Sequence, residues 1–242
     1  MVISDAVSDV AKFVDDLLAE TRERRVSLLD GEFLTAVEAG RVTRGQICEW
    51  AKPFYAATKN GRLGLGIYYA NSPEDPELRR DLAENLYEEE TGRISGVNKC
   101  HMDVFFDFLA AFGITEAEAK HLQSPVGSLV QQARAIPFDD FYVELATYGL
   151  SVEAPNAEWS GRMHRALRDQ YRFTGDETRW FSMHAALDAD HGEEFKGYAV
   201  KAAQAPHGLA RLREQTLQMS EILRDVWNGF GIWKDAGRAD LS

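Results

Sequence analysis

Apolar positions recur every three to four residues along nearly the whole chain, the period of a helix with one buried face. A first helix is predicted from an N-cap at Ser4, through acidic first-turn residues, to about Arg22. A shorter one covers 28–39. Thr43 and Gln46 form a capping-box pattern that opens a long segment with Ile47, Trp50, Phe54 and Tyr55 facing inward. Pro53 falls inside it and predicts a kink or a later start. Gly61, Gly64 and Gly66 are spaced for close helix packing; no strand precedes them, so they do not read as a phosphate loop. Helices follow at 77–90 and from about His101 to a cap at Gly113, with residues 91–100 as a loop between them. Thr115 to Glu118 starts a short helix. Pro125 and Pro137 each restart one, and the second runs to Glu153, where Pro155 is expected to stop it. Asn156 then caps a helix to about Phe173, and two long helices cover 178–204 and 206–229. The tail is expected to fray from about 233.

Period-two alternation is absent, and no repeat, linker or low-complexity segment interrupts the pattern. One all-α domain over residues 1–242, with about eight core helices, is the economical reading.

Composition narrows the partners. A net charge of −12 argues against nucleic acid and anionic membranes, which both need a basic surface. Cys48 and Cys100 lack CxxC spacing and form neither a disulfide framework nor a thiolate metal site, so the expected setting is the reducing cytoplasm. The acidic N-terminus has no signal-peptide pattern, and no uncharged apolar run approaches the roughly 18 residues of a membrane span.

The candidate chemistry begins at His184, Asp188 and His191. At about 100° per residue these three fall within about 60° of one another, on the stripe that also carries Phe181, Phe195 and Tyr198. A charge on a buried stripe must be paired or bound to a metal, so this face either binds metal or orders the core with a polar network. Three consecutive glutamates, Glu88, Glu89 and Glu90, supply a second cluster, of which only one can point fully inward. With Asn85, Leu82 and Leu86 marking the inner face, that one is Glu89; Glu88 and Glu90 stay open as alternatives. His101 opens an apolar helix, and Glu153 sits among Leu150, Val152 and Ala154. Three carboxylates and three imidazoles without a thiolate suit a pair of iron or manganese ions better than zinc. The Glu-x-x-His pairs of the ferritin-like bundle are missing.

In order and spacing, Glu89, His101, Glu153, His184, Asp188 and His191 resemble the ligand pattern of the heme-oxygenase-like diiron oxidases. These are related in fold to the thiaminase TenA and to the oxidase of PQQ synthesis. The resemblance runs from TRGQICEWAKPFYA, beginning at Thr43, to His191. It implies a bundle of seven to eight helices holding two iron ions, with manganese as the alternative, and using O₂ as co-substrate. It also implies a small amino-acid-like or amine substrate, undergoing N-oxygenation or C–C cleavage in a biosynthetic pathway, with Glu89, Glu153 and Asp188 acting in catalysis. An external electron donor and a homodimer belong to the same expectation. One branch of the family makes p-aminobenzoate from its own tyrosine; where that branch carries a tyrosine and a lysine, this chain has Val152 and Met163. The other readings are a TenA-like hydrolase, a metal-free oxidase on the same fold, and a non-catalytic helical binding protein. Tyr148, Tyr68, Phe105 and Trp159 are expected in pocket or core, and Arg162 and Arg172 at the surface.

Overall fold

The computed structural model describes residues 2–127, 129 and 140–236, without the side chains of 2–6 and 188–194. Among the described residues it is all-helical. Eleven α-helices follow in order: α1 Val2–Glu23, α2 Glu32–Glu38, α3 Arg44–Thr58, α4 Arg62–Asn71, α5 Pro76–Thr91, α6 His101–Ala110, α7 Glu116–His121, α8 Phe141–Tyr148, α9 Ala154–Tyr171, α10 Arg179–Ala202 and α11 Gly208–Trp227. The excess over seven or eight comes from short pieces such as α2 and α7.

Local chemistry accounts for several boundaries. Both capping boxes form: Gln46 N–H donates to Thr43 Oγ1 at 3.1 Å and Thr43 N–H to Gln46 Oε1 at 2.9 Å, with Thr115 and Glu118 reproducing the arrangement. The segment expected as one helix over 28–39 is split, because a 3₁₀ turn at Leu28–Asp30 ends at Gly31 and α2 starts afresh. Asn228, from the far end of the chain, accepts from Phe33 N–H at 2.7 Å and caps that restart. Helix α1 begins at Val2, so Ser4 lies inside it rather than capping it.

Neither proline starts or stops a helix. Helix α3 passes through Pro53 without a late start, and the proline ring is buried, an apolar gain that offsets its missing hydrogen bond. Pro155 does not stop the chain either. A π-helical turn, Gly149–Glu153, joins α8 to α9 directly. A proline ring clashes with the carbonyl four residues back in α geometry, here Ser151, and the wider turn lies where that clash would fall. Asn156 consequently sits inside α9, and its Oδ1 accepts from Trp227 Nε1 at 3.0 Å instead of capping a helix.

The interior has two parts. One is aromatic, centred on Trp50, Phe54, Phe105, Phe108, Trp159 and Phe181. The other is largely aliphatic, with Val14, Leu78, Leu82, Val143, Leu145, Ala199 and Leu212 beside Phe195 and Tyr198. Trp233 belongs to the first, only 7% exposed, so the chain is packed at the position where fraying was expected to begin. Residues 237–242 lie outside the described residues.

Candidate metal centre

A chamber of about 210 Å³ lies between the two cores. Phe54, Met102, Leu223 and Trp227 wall it from the aromatic side, and Tyr68 and Tyr148 from the other. Its polar wall carries Glu88, Glu89, His101, Glu153 and His184. Four of the six residues singled out from the sequence therefore face one space. The side chains of the other two, Asp188 and His191, lie outside the described residues.

Glu89, His101 and His184 form the tightest group: one ligand atom from each falls within 4.8 Å of the others. His101 Nδ1 is 2.8 Å from Glu89 Oε1, His184 Nε2 is 3.9 Å from the same oxygen, and the imidazole centroids are 5.1 Å apart. His184 is oriented by its own helix. A carbonyl only accepts, so the 2.9 Å contact of Nδ1 with Trp180 O requires a proton on Nδ1. That leaves the Nε2 lone pair aimed at the group. The Trp180 ring packs beside it, tilted by 35° with centroids 4.1 Å apart, and limits its rotation. Burial, outweighing the Glu89 charge, lowers the His184 pKa and keeps the ring neutral. For His101, burial acts downward, but the hydrogen bonds and charges of Glu89 and Glu88 outweigh it and the pKa rises.

The glutamate triplet resolves into three environments. Glu90 pairs with Arg62 Nε at 2.8 Å and is mostly outside the chamber chemistry. Glu89 faces the chamber. Glu88 is the most deeply buried of the three, at 5% exposed, which corrects the expectation that only Glu89 turns inward. Its carboxylate accepts from Ile94 N–H at 2.6 Å, from Ser95 N–H at 3.2 Å, and lies 3.1 Å from His101 Nε2. Burial opposes its ionisation, but these donors prevail and the pKa falls. Glu88 thus ties the 91–100 loop to the far nitrogen of His101. Gly92 makes the loop possible: its φ is +58°, and a Cβ there would meet Lys99 O at 2.4 Å.

Glu153 ends the π turn. Tyr148, one helical turn earlier, donates to Glu153 Oε1 at 2.7 Å, and burial, with the Glu153 charge, raises the phenol pKa so that it stays protonated. Gly149, which opens the turn, faces the Phe195 ring so closely that a Cβ would overlap it at 1.9 Å. Trp180 as the neighbour that orients His184 had no signal in the sequence, and Glu88, open there as an alternative ligand, had none as the partner of His101. Phe105 and Trp159 are core and do not line the chamber. Arg162 pairs with Glu38 at 2.7 Å, away from it.

A carboxylate and two imidazoles converging at this range are a donor set that fits iron or manganese. The comparisons agree. Residues 48–224 match a protein family described as iron-containing redox enzyme. The chain is 25% identical over 205 residues to a 4-aminobenzoate synthase from Chlamydia pneumoniae, covering 83% of this chain and 86% of that one. Among solved structures, a TenA homolog from Pseudomonas syringae pv. tomato superposes with a TM-score of 0.68 at 16% identity, covering 92% of this chain and 93% of that one. A domain of unknown function with a heme oxygenase-like fold, from Shewanella denitrificans, gives 0.64 at 14% identity, covering 96% and 92%. Both share the fold.

Proposed function

Because the chain belongs to the family of iron-containing redox enzymes, we propose that it holds two iron ions and uses O₂ to oxidise a small amino-acid-like or amine metabolite. The reaction on this reading is N-oxygenation or oxidative C–C cleavage, with an external donor supplying electrons. The observation that carries it is the convergence of Glu89, His101 and His184 on one point of a largely apolar chamber. We assign Glu153, Asp188 and His191 as the remaining ligands. Bound iron would supply the redox chemistry that reduces O₂.

The side chains divide the remaining work. His184 offers Nε2 because its other nitrogen is committed to Trp180 O. His101 offers Nδ1 while Glu88 holds the Nε2 proton, so ligation at Nδ1 releases a proton when the ring starts doubly protonated. Tyr148 keeps Glu153 turned toward the chamber. Met102, Leu187, Met219 and Leu223 exclude water from the reacting end.

Anaerobic loading with Fe(II), followed by air, should give about two irons per chain and a transient visible absorption. His184→Ala should lose both. A chain that takes up no iron, or whose uptake ignores that substitution, overturns the reading. Turnover that persists in chelator without O₂ points instead to a hydrolase, but no cysteine is among the residues lining the chamber, and burial raises the Cys48 thiol pKa.

A second reading has one observation in its favour. The name of the Chlamydia relative, together with the phenol of Tyr148 against Glu153, points to 4-aminobenzoate made from the chain's own tyrosine. Val152, on the chamber wall, and the buried Met163 replace the tyrosine and lysine of that branch, so we place oxidation of an external substrate first. Intact mass after aerobic reaction separates the two: self-consumption removes a tyrosine side chain, and an external substrate leaves the chain's mass unchanged.

A further inference from the structure

We propose that Gly64 sets the depth of the chamber, and that the chamber receives an apolar body about the size of one aromatic ring with a short substituent. The substrate's polar, reacting end would lie at Glu89, His101 and His184. This rests on the functional reading above for which end reacts, but not for what the chamber holds.

Gly64 is the feature of the sequence that neither packing nor metal chemistry uses. Glycine is among the least favourable residues in a helix, yet Gly64 sits in the first turn of α4 (Arg62–Asn71) and is buried. Close helix packing was the expected reason for it. The structure contradicts this: a Cβ built there meets no atom within 4 Å, whereas at Gly149 and Gly208 it would meet one at 1.9 Å. A buried residue whose side chain would enter empty space faces a cavity, and Gly64 lines the chamber with Arg62, Leu65 and Tyr68 of the same helix. The missing side chain therefore makes room for a ligand rather than for a neighbouring helix.

Size and lining give the class of ligand. An apolar cavity of about 150 Å³ takes up benzene, and this chamber is about 210 Å³. Phe54, Leu65, Met102, Val152 and Met219 make most of its wall apolar, while the carboxylates and imidazoles, with Thr58, Arg62, Asn85 and Asn156, leave places for a few polar atoms, so the ligand is an apolar body with a small polar part. A strongly polar small molecule would leave this wall in contact with its hydrophilic groups and bind weakly.

The test uses the full-length, metal-free protein with toluene and indole as probes, read by thermal shift and calorimetry. Both should raise the melting temperature of the wild type. Gly64→Ala alone should raise it by roughly 2–4 °C, because the methyl enters open space and the helix gains a better residue. It should weaken indole more than toluene. Gly64→Leu should lose at least about tenfold in affinity for both probes while melting no lower than the wild type. The proposal falls if neither probe binds the wild type, if Gly64→Leu responds as the wild type does, or if Gly64→Ala lowers the melting temperature. A Co(II) titration of the same proteins separates the two ideas. Probe binding that depends on Gly64 without metal uptake overturns only the proposed function, and metal uptake without probe binding overturns only this inference.

Discussion

Around Trp50 the interior is full. Phe33 stacks on its ring at 4.6 Å and Phe54 at 5.2 Å, and its indole N–H donates to Trp227 O at 2.8 Å. Around His184, on a helix that also supplies Phe181 to that aromatic core, the interior is open and its polar atoms face one another. The two regions draw on the same helices. In the first, Trp50 ends on a backbone carbonyl and Trp227 on the Asn156 side chain, and the rings fill the volume; in the second, His101, Glu88 and Glu89 are one another's partners. The chamber's polar wall keeps donor capacity that a metal can take over.

The largest effect should come from breaking the filled region. Trp50→Ala removes a fully buried ring and should cost about 3–5 kcal/mol, seen as a lower midpoint in chemical denaturation with any metal uptake per folded chain retained. If uptake collapses in the chain that still folds, the two regions are not separable as described.

Next in size is Glu88, the link between loop and ligand. Glu88→Ala should weaken metal binding by about 10–100-fold, since it releases the outer nitrogen of His101. It should also speed tryptic cleavage after Arg93 and Lys99 in the metal-free protein, because the Ile94 and Ser95 amides lose their acceptor. Normal proteolysis with weakened metal binding would show that Glu88 is itself a ligand rather than a positioning residue.

The smallest effect sharpens the comparison within the chamber, between its two histidines. The His101 pKa is raised on folding, so its stabilisation is complete below the unfolded value of about 6.5 and is lost as pH rises through the folded one. The His184 pKa is lowered, so its contribution is complete above about 6.5 and is lost as pH falls. In chelator, His184→Gln should therefore lose melting temperature as pH rises from 6.5, and His101→Gln should lose it as pH falls below 6.5. Slopes of the same sign in both variants would contradict the assignment.

How much of this the sequence revealed follows from the range of the forces involved. The helices at Thr43 and Thr115 were legible because a capping box is complete within four residues. The inward histidines were legible because His101 and His184 lie on otherwise apolar faces. What was illegible depended on distant partners. Glu88 lies deeper than Glu89 because loop amides six and seven residues away claim its oxygens. Asn156 looked like a cap until Trp227, 71 residues on, was found holding its oxygen. Gly64 resembled a packing glycine because a pattern of small residues does not say whether the space beside them is filled.

The π turn at Gly149–Glu153 has a consequence for comparing this chain with its relatives. A π turn carries about one residue more than the α turn it replaces, so it acts as a phase shift between α8 and α9. Counting in steps of 3.6 from α8 into α9 assigns residues beyond the turn to a face about 100° from the one they occupy. An alignment that closes a one-residue gap here would keep both helices and still move Glu153 out of register with the chamber. Deletion of a single residue between Gly149 and Glu153 is thus a much larger change to this protein than its length suggests.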